Sequence, residues 1–116
     1  MVVGALRDPS FGPTVMTGLG GTAVELLEDV TFALAPVDAE EAIRMIEGLQ
    51  GFPLLCGYRN LPSADIAALA NVISGVSRLI ATYPEIGEID LNPVMATGSD
   101  AVAVDWKIHA PAAGGW

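Results

Sequence analysis

The sequence predicts an α+β domain in which a mostly antiparallel sheet carries two helices on one face. Three observations lead there. The chain reads as strands, helix, helix, strands, and not as alternating strand and helix units. Two stretches, Asp38 to Leu49 and Ser63 to Thr82, hold apolar residues at helical spacing between start and stop signals. The rest consists of short β-branched or alternating runs punctuated by Pro and Gly.

Val2 to Leu6 is a short strand, which "RDPSFGP" (Arg7 to Pro13) must break with its two prolines and a glycine. Thr14 to Thr17 and Thr22 to Leu27 are apolar runs separated by "GLGG", as in a hairpin or tight strand connection. Val30 to Val37 is a further strand. Asp38 then caps a helix, with Glu41 at the capping-box position and an apolar stripe of Ala42, Ile43, Ile46 and Leu49. Gly48 and Gly51-Phe52-Pro53 end it. Leu54 to Asp65 reads as a connection with a buried start and a polar end, in which Cys56 follows two leucines as a small buried hydrophobe. The second helix begins near Ser63 with Asp65 in its first turn, and Ile66, Leu69, Ala70, Ile73, Val76 and Ile80 keep its spacing until Pro84 forbids continuation.

The last predicted element is a hairpin, "EIDLNPVMATGSDAVAVDWKI". Glu88, Asp90 and Asn92 alternate with Ile89 and Leu91, and Val102, Val104, Trp106 and Ile108 repeat the apolar half of the pattern. The tail "APAAGGW" is disordered or truncated from something longer, and no internal repeat is visible.

Composition narrows the function classes. The chain has 116 residues, 52 % of them hydrophobic, which suits one packed domain or part of a larger one. With 14 acids against 5 bases the net charge is −9, so nucleic-acid binding lacks its electrostatic footprint. An anionic ligand needs a bridging cation or basic groups from elsewhere. One cysteine and one histidine, Cys56 and His109, leave no internal disulfide and no multi-cysteine zinc site, and fit a cytoplasmic setting. No stretch is long and apolar enough to span a bilayer, and the N-terminus lacks signal-peptide order.

A turn centred between Gly98 and Ser99 sets position 92 opposite 105 and 90 opposite 107. Opposed residues share a face with side-chain roots about 4.5–5.5 Å apart, close enough for the Asn92 amide oxygen and the Asp105 carboxylate to hold one hard cation. Magnesium takes oxygen ligands and uses few side chains, leaving other positions to water and phosphate; calcium wants more ligands and zinc wants His or Cys. Spacing alone favours a solvated strand face with a cross-strand Asp90–Lys107 pair over a metal site. A single bulge would undo the alignment.

Three blocks in order, "RDPSFGPTVMTGLGGTAVELLEDVTFALAP", "PLLCGYRNLPSADIAAL" and "EIDLNPVMATGSDAVAVDWKI", resemble the C-terminal part of the ATP-grasp domain of NDP-forming acyl-CoA synthetases. These are ADP-forming acetate:CoA ligases and relatives of succinyl-CoA synthetase, and the domain also occurs fused to protein acetyltransferases. The resemblance spans about Val3 to Ile108 and implies an ATP-grasp C-terminal subdomain over 1–108, half of a complete domain, followed by a tail over 109–116. It implies that Asn92 and Asp105 carry magnesium with the phosphates of ATP or ADP, with Asp90 beside the metal. It places Gly20 and Gly21 as nucleotide contacts and Glu25 on the same block. The complete enzymes form acyl-CoA from acid, CoA and ATP through an acyl phosphate and a phosphorylated histidine. Partners implied are the remaining ATP-grasp half and CoA-binding domains, in the same parent chain or a separate subunit; a homo-oligomer is also possible. The family's "GYRG" is "GYRN" here, with Asn60 in the glycine position.

Other readings stay open. "GLGGTA" also fits a loose dinucleotide fingerprint with Asp38 at ribose distance, although Thr22 to Asp29 is short for a crossover helix. Arg59 sits in a loop between helices, where it can meet phosphate as a catalytic group or bridge to an acid. A non-catalytic regulatory or assembly module is the remaining class. Phosphoryl transfer needs cationic clamps, and Arg7, Arg44, Arg59, Arg78 and Lys107 are few, so full turnover by this chain alone is not expected.

Overall fold

The structure, a computed structural model, describes residues 1–19, 29–56, 65–96 and 100–110. Among these residues seven strands and three helices follow one another: β1 (Val2–Asp8), β2 (Gly12–Gly18), β3 (Val30–Leu34), α1 (Ala39–Glu47), α2 (Phe52–Leu55), α3 (Ile66–Thr82), β4 (Glu88–Leu91), β5 (Val94–Ala96), β6 (Ala101–Ala103) and β7 (Trp106–His109). Five of the strands form one sheet in the order β3-β2-β1-β4-β7, and β5 and β6 form a separate two-stranded sheet. Every pairing is antiparallel.

Alternation along the strands gives the large sheet two unlike faces. Val3 and Ala5 of β1, Val15 and Thr17 of β2 and Ile89 of β4 are buried on one face. There they form a single core with Ala42, Met45 and Ile46 of α1 and Leu69, Ala70, Ile73, Val76 and Ile80 of α3. Both long helices thus lie on the same side, as the sequence predicts. The connection from β3 back to β4 carries them across the sheet, because β3 is at one edge and β4 lies on the far side of β1.

Caps fix the helix starts. The Asp38 carboxylate accepts a hydrogen bond from the Glu41 amide at 2.8 Å, and Asp65 accepts from Ala68 at 2.9 Å. Asp65 is therefore the cap itself and not a first-turn residue, and helix α3 starts at Ile66. At the other end of α3, Arg7 of β1 donates from its guanidinium to the carbonyls of Ile80, of Tyr83 at 3.0 Å and of Ile86 at 3.1 Å. A cation there satisfies carbonyls that the helix leaves open.

Polar groups inside are paired. The Ser77 hydroxyl accepts from the Val37 amide at 3.0 Å, and the Ser74 hydroxyl donates to the Val37 carbonyl at 2.9 Å, tying the chain ahead of α1 to α3. Asp29, only 4 % exposed, accepts from the amides of Gln50 at 2.7 Å and Gly51 at 2.9 Å.

Several expectations need correction. Leu54 and Cys56 are exposed. The segment Phe52–Leu55 is a short helix with no fully buried residue, whose Phe52 and Leu55 pack half-buried against the core. Val102 of β6, Val104, and Trp106 and Ile108 of β7 are exposed as well. Strand β7 runs through His109, one residue past the expected end of the subdomain. The expected strand at 22–27 and the start of the second helix at Ser63 lie outside the described residues, as does most of the tail.

Candidate functional site

The face of the sheet away from the helices is open. Strand registers place one residue from each of the five strands in a single row across it: Phe32, Met16, Gly4, Asp90 and Lys107, from β3 to β7. The row runs from apolar to charged. Gly4 at its centre is covered by Met16, and a Cβ there would meet the Met16 sulfur at 3.3 Å and the Ile89 carbonyl oxygen at 3.5 Å. Glycine thus keeps the middle of the row flat. Phe32 is 69 % exposed, an unusual state for so large an apolar side chain on a regular strand.

Two concavities meet on this face. One, of about 320 Å³, has Gly4, Met16 and Phe32 in its lining together with Glu88 and Asp90. The other, of about 720 Å³, is bounded by Glu88, Asp90, Trp106, Lys107, Ile108 and His109. Glu88 and Asp90 belong to both, so an apolar floor passes directly into a charged one.

Asn92 and Asp105 stand at the end of the β4–β7 ladder. Asp90 pairs with Lys107 and Leu91 with Trp106, and the next step brings the Asn92 amide to the Asp105 carbonyl at 3.2 Å. Beyond it, Val94 pairs with Ala103, Met95 with Val102 and Ala96 with Ala101. The register expected from the turn therefore holds along both arms, although the ribbon is divided between two sheets at Asn92-Pro93 and at residues 104–105. The Asn92–Pro93 peptide is cis. Both side chains are exposed, and one Asp105 carboxylate oxygen accepts from the Trp106 amide at 2.9 Å. An amide oxygen and a carboxylate fit magnesium, a hard cation that completes its shell with water and phosphate. Among the described residues no group of three or more His, Cys, Asp or Glu could hold a metal on its own.

The remaining expected site residues divide sharply. Asp90 is in the row, two residues along the chain from Asn92, and it makes no ion pair with Lys107 among the described residues. Gly20, Gly21, Glu25 and Arg59 lie outside the described residues, as does Asn60. Strand β2 nevertheless ends at Gly18, opposite Val2, at the same end of the sheet as Leu91 and Asn92. Strand β2 thus ends on the side of the sheet where Asn92 lies. It does not lead to the crossover that a dinucleotide fingerprint requires, since β3 returns antiparallel to β2 from Val30 opposite Gly18. Asp38, the candidate ribose partner, is occupied as a helix cap.

Sequence reasoning did not single out the apolar half of the row. The signal was present: Val2 to Leu6 is apolar on both parities, so one set had to face away from the helices.

Comparison with known proteins agrees with this geometry. The chain is 48 % identical over 108 residues to the β subunit of the ADP-forming acetate–CoA ligase I of Pyrococcus furiosus, covering 93 % of this chain and 47 % of that protein. It is 43 % identical over 107 residues to a trans-feruloyl-CoA synthase of an unknown prokaryote, covering 90 % of this chain and 15 % of that protein. Among solved structures, acetyl-coenzyme A synthetase 1 of Candidatus Korarchaeum cryptofilum, in complex with coenzyme A and Mg-AMPPCP, superimposes with a TM-score of 0.89 at 42 % identity. That match covers 94 % of this chain and 51 % of the other. The chain thus spans about half the length, or less, of these relatives. The family model of an ATP-grasp domain matches residues 1–110, and the chain belongs to the ATP-grasp domain family.

Proposed function

We propose that this chain is the Mg-ATP/ADP-binding C-terminal subdomain of an ADP-forming acyl-CoA synthetase, one half of a complete ATP-grasp domain. The carrying observation is that Asn92 and Asp105 face each other at the end of the terminal ribbon, beside a row that passes from apolar to charged. The parent reaction joins an acid to CoA with conversion of ATP to ADP and phosphate. Relatives of this chain that carry that activity are about twice its length or more, so the other half-domain and the CoA-binding domains come from a longer parent or a partner subunit. The chain's single cysteine suits a cytoplasmic enzyme, and no helix among the described residues is long and apolar enough to cross a membrane.

In this reading Met16, Gly4 and Phe32 offer an apolar floor for the base. Asn92 and Asp105 would hold magnesium with one amide and one carboxylate oxygen, and Asp90 would add negative charge beside it. Bound there, the metal would offset part of the phosphate charge. Gly20, Gly21 and Glu25, in the segment that follows β2 in sequence, contact the nucleotide, and Arg59 meets phosphate.

Calorimetric titration with Mg-ADP of the chain combined with its completing half tests this. Asn92→Ala and Asp105→Ala should each weaken binding at least about tenfold. Wild-type affinity in both variants would overturn the assignment. A coupled ADP-release assay with CoA and short-chain acids should show turnover only when the other half is present, and robust turnover by this chain alone would contradict its role as a half.

A further inference from the structure

We propose that Lys107 is the cation with which this half-domain grips the nucleotide phosphates, acting from the β7 edge across from Asp90; the inference rests on the nucleotide-binding reading above. It follows from where the chain's few cations are used. Arg7 is consumed at the end of α3, with its guanidinium on three backbone carbonyls. Arg44 is on α1 and Arg78 on α3, both exposed, and both helices lie on the opposite side of the sheet. Among the described Lys and Arg residues only Lys107 stands on the open face.

Its surroundings are those of a binding group. Lys107 lines the 720 Å³ concavity with Glu88 and Asp90, is exposed, and forms no ion pair among the described residues. Along the chain it is two residues from Asp105, and on the opposite arm Asp90 is two residues from Asn92. Met16 and Lys107 are three strand spacings apart in the row, roughly 14 Å. A nucleotide whose base rests on Met16 and Gly4 therefore carries its charged end toward Lys107. In a chain of net charge −9, a single ammonium at that point decides whether the acids around it repel the phosphates or leave them a partner.

The test uses the chain combined with its completing half and reads binding of Mg-ATP, Mg-ADP and adenosine by calorimetry. Lys107→Met should weaken Mg-ATP and Mg-ADP by about tenfold or more and leave adenosine unchanged. Lys107→Arg should return most of the loss, and the nucleotide-free melting temperature of both variants should stay within about 2 °C of wild type. Unchanged Mg-ADP affinity in Lys107→Met would overturn the proposal, and so would an equal loss of adenosine binding, which would mark a distorted sheet edge. If Asn92→Ala weakens Mg-ADP and Lys107→Met does not, the nucleotide reading stands and only the lysine's role fails. If the wild-type assembly binds no Mg-nucleotide, both fail together.

Discussion

The two faces of the five-stranded sheet are built from the same strands and serve opposite ends. On the helical face every side chain described above has a partner: Thr17 and Ser77 are fully buried with their hydroxyls bonded, and Arg7 and Asp29 are tied to backbone groups. On the open face a phenylalanine is left largely in water, a glycine keeps the centre low, and a lysine and an aspartate oppose each other without an ion pair. A folded chain satisfies its groups where stability is at stake and leaves them available where a ligand will satisfy them. The contrast predicts that substitutions on one face alter folding and those on the other alter binding.

The largest effect on stability is expected from Ile73→Ala in α3, whose side chain is fully buried. Chemical denaturation should show a loss of about 2–5 kcal/mol. A loss under about 1 kcal/mol would mean that the helical face is not the seat of stability. Asp29→Ala removes a buried carboxylate from two backbone amides and should cost about 2–3 kcal/mol in the same measurement. Ser77→Ala takes away the hydroxyl that the Val37 amide needs and should cost about 1–2 kcal/mol. Smallest of all is Phe32→Ser on the open face, with a change within about 0.5 kcal/mol. That variant should instead weaken adenosine binding in the completed domain. A large stability loss from Phe32→Ser with unaltered adenosine binding would erase the distinction between the faces.

Much of this was legible in the sequence, and the reasons are local. The register of the last ribbon followed from period-two alternation and one turn, because both arms keep step from Glu88 opposite His109 to Ala96 opposite Ala101. The cap at Asp38 followed from side-chain chemistry that acts over three residues, whereas Asp65, expected inside the first turn, turned out to be the cap of its helix. What escaped depends on distant contacts. Nothing near Arg7 announces that it will close a helix more than seventy residues away. Ser74 and Ser77 look like breaks in an apolar stripe until Val37 arrives to bond them. Exposure of Trp106 at 62 % and Ile108 at 47 % could not be read from their pattern, since alternation assigns a face and not whether another element covers it.

The unbroken register of the terminal ribbon also limits how its length can vary. A residue inserted into one arm between 93 and 96, without a matching one between 101 and 104, would slide every later pair by one step and bring a neighbour of Asp105 opposite Asn92. Residues added at the tip, between Ala96 and Ala101, would leave that meeting point untouched. Natural or engineered extensions should therefore concentrate at the tip, the one stretch of this ribbon whose size is independent of its ligands.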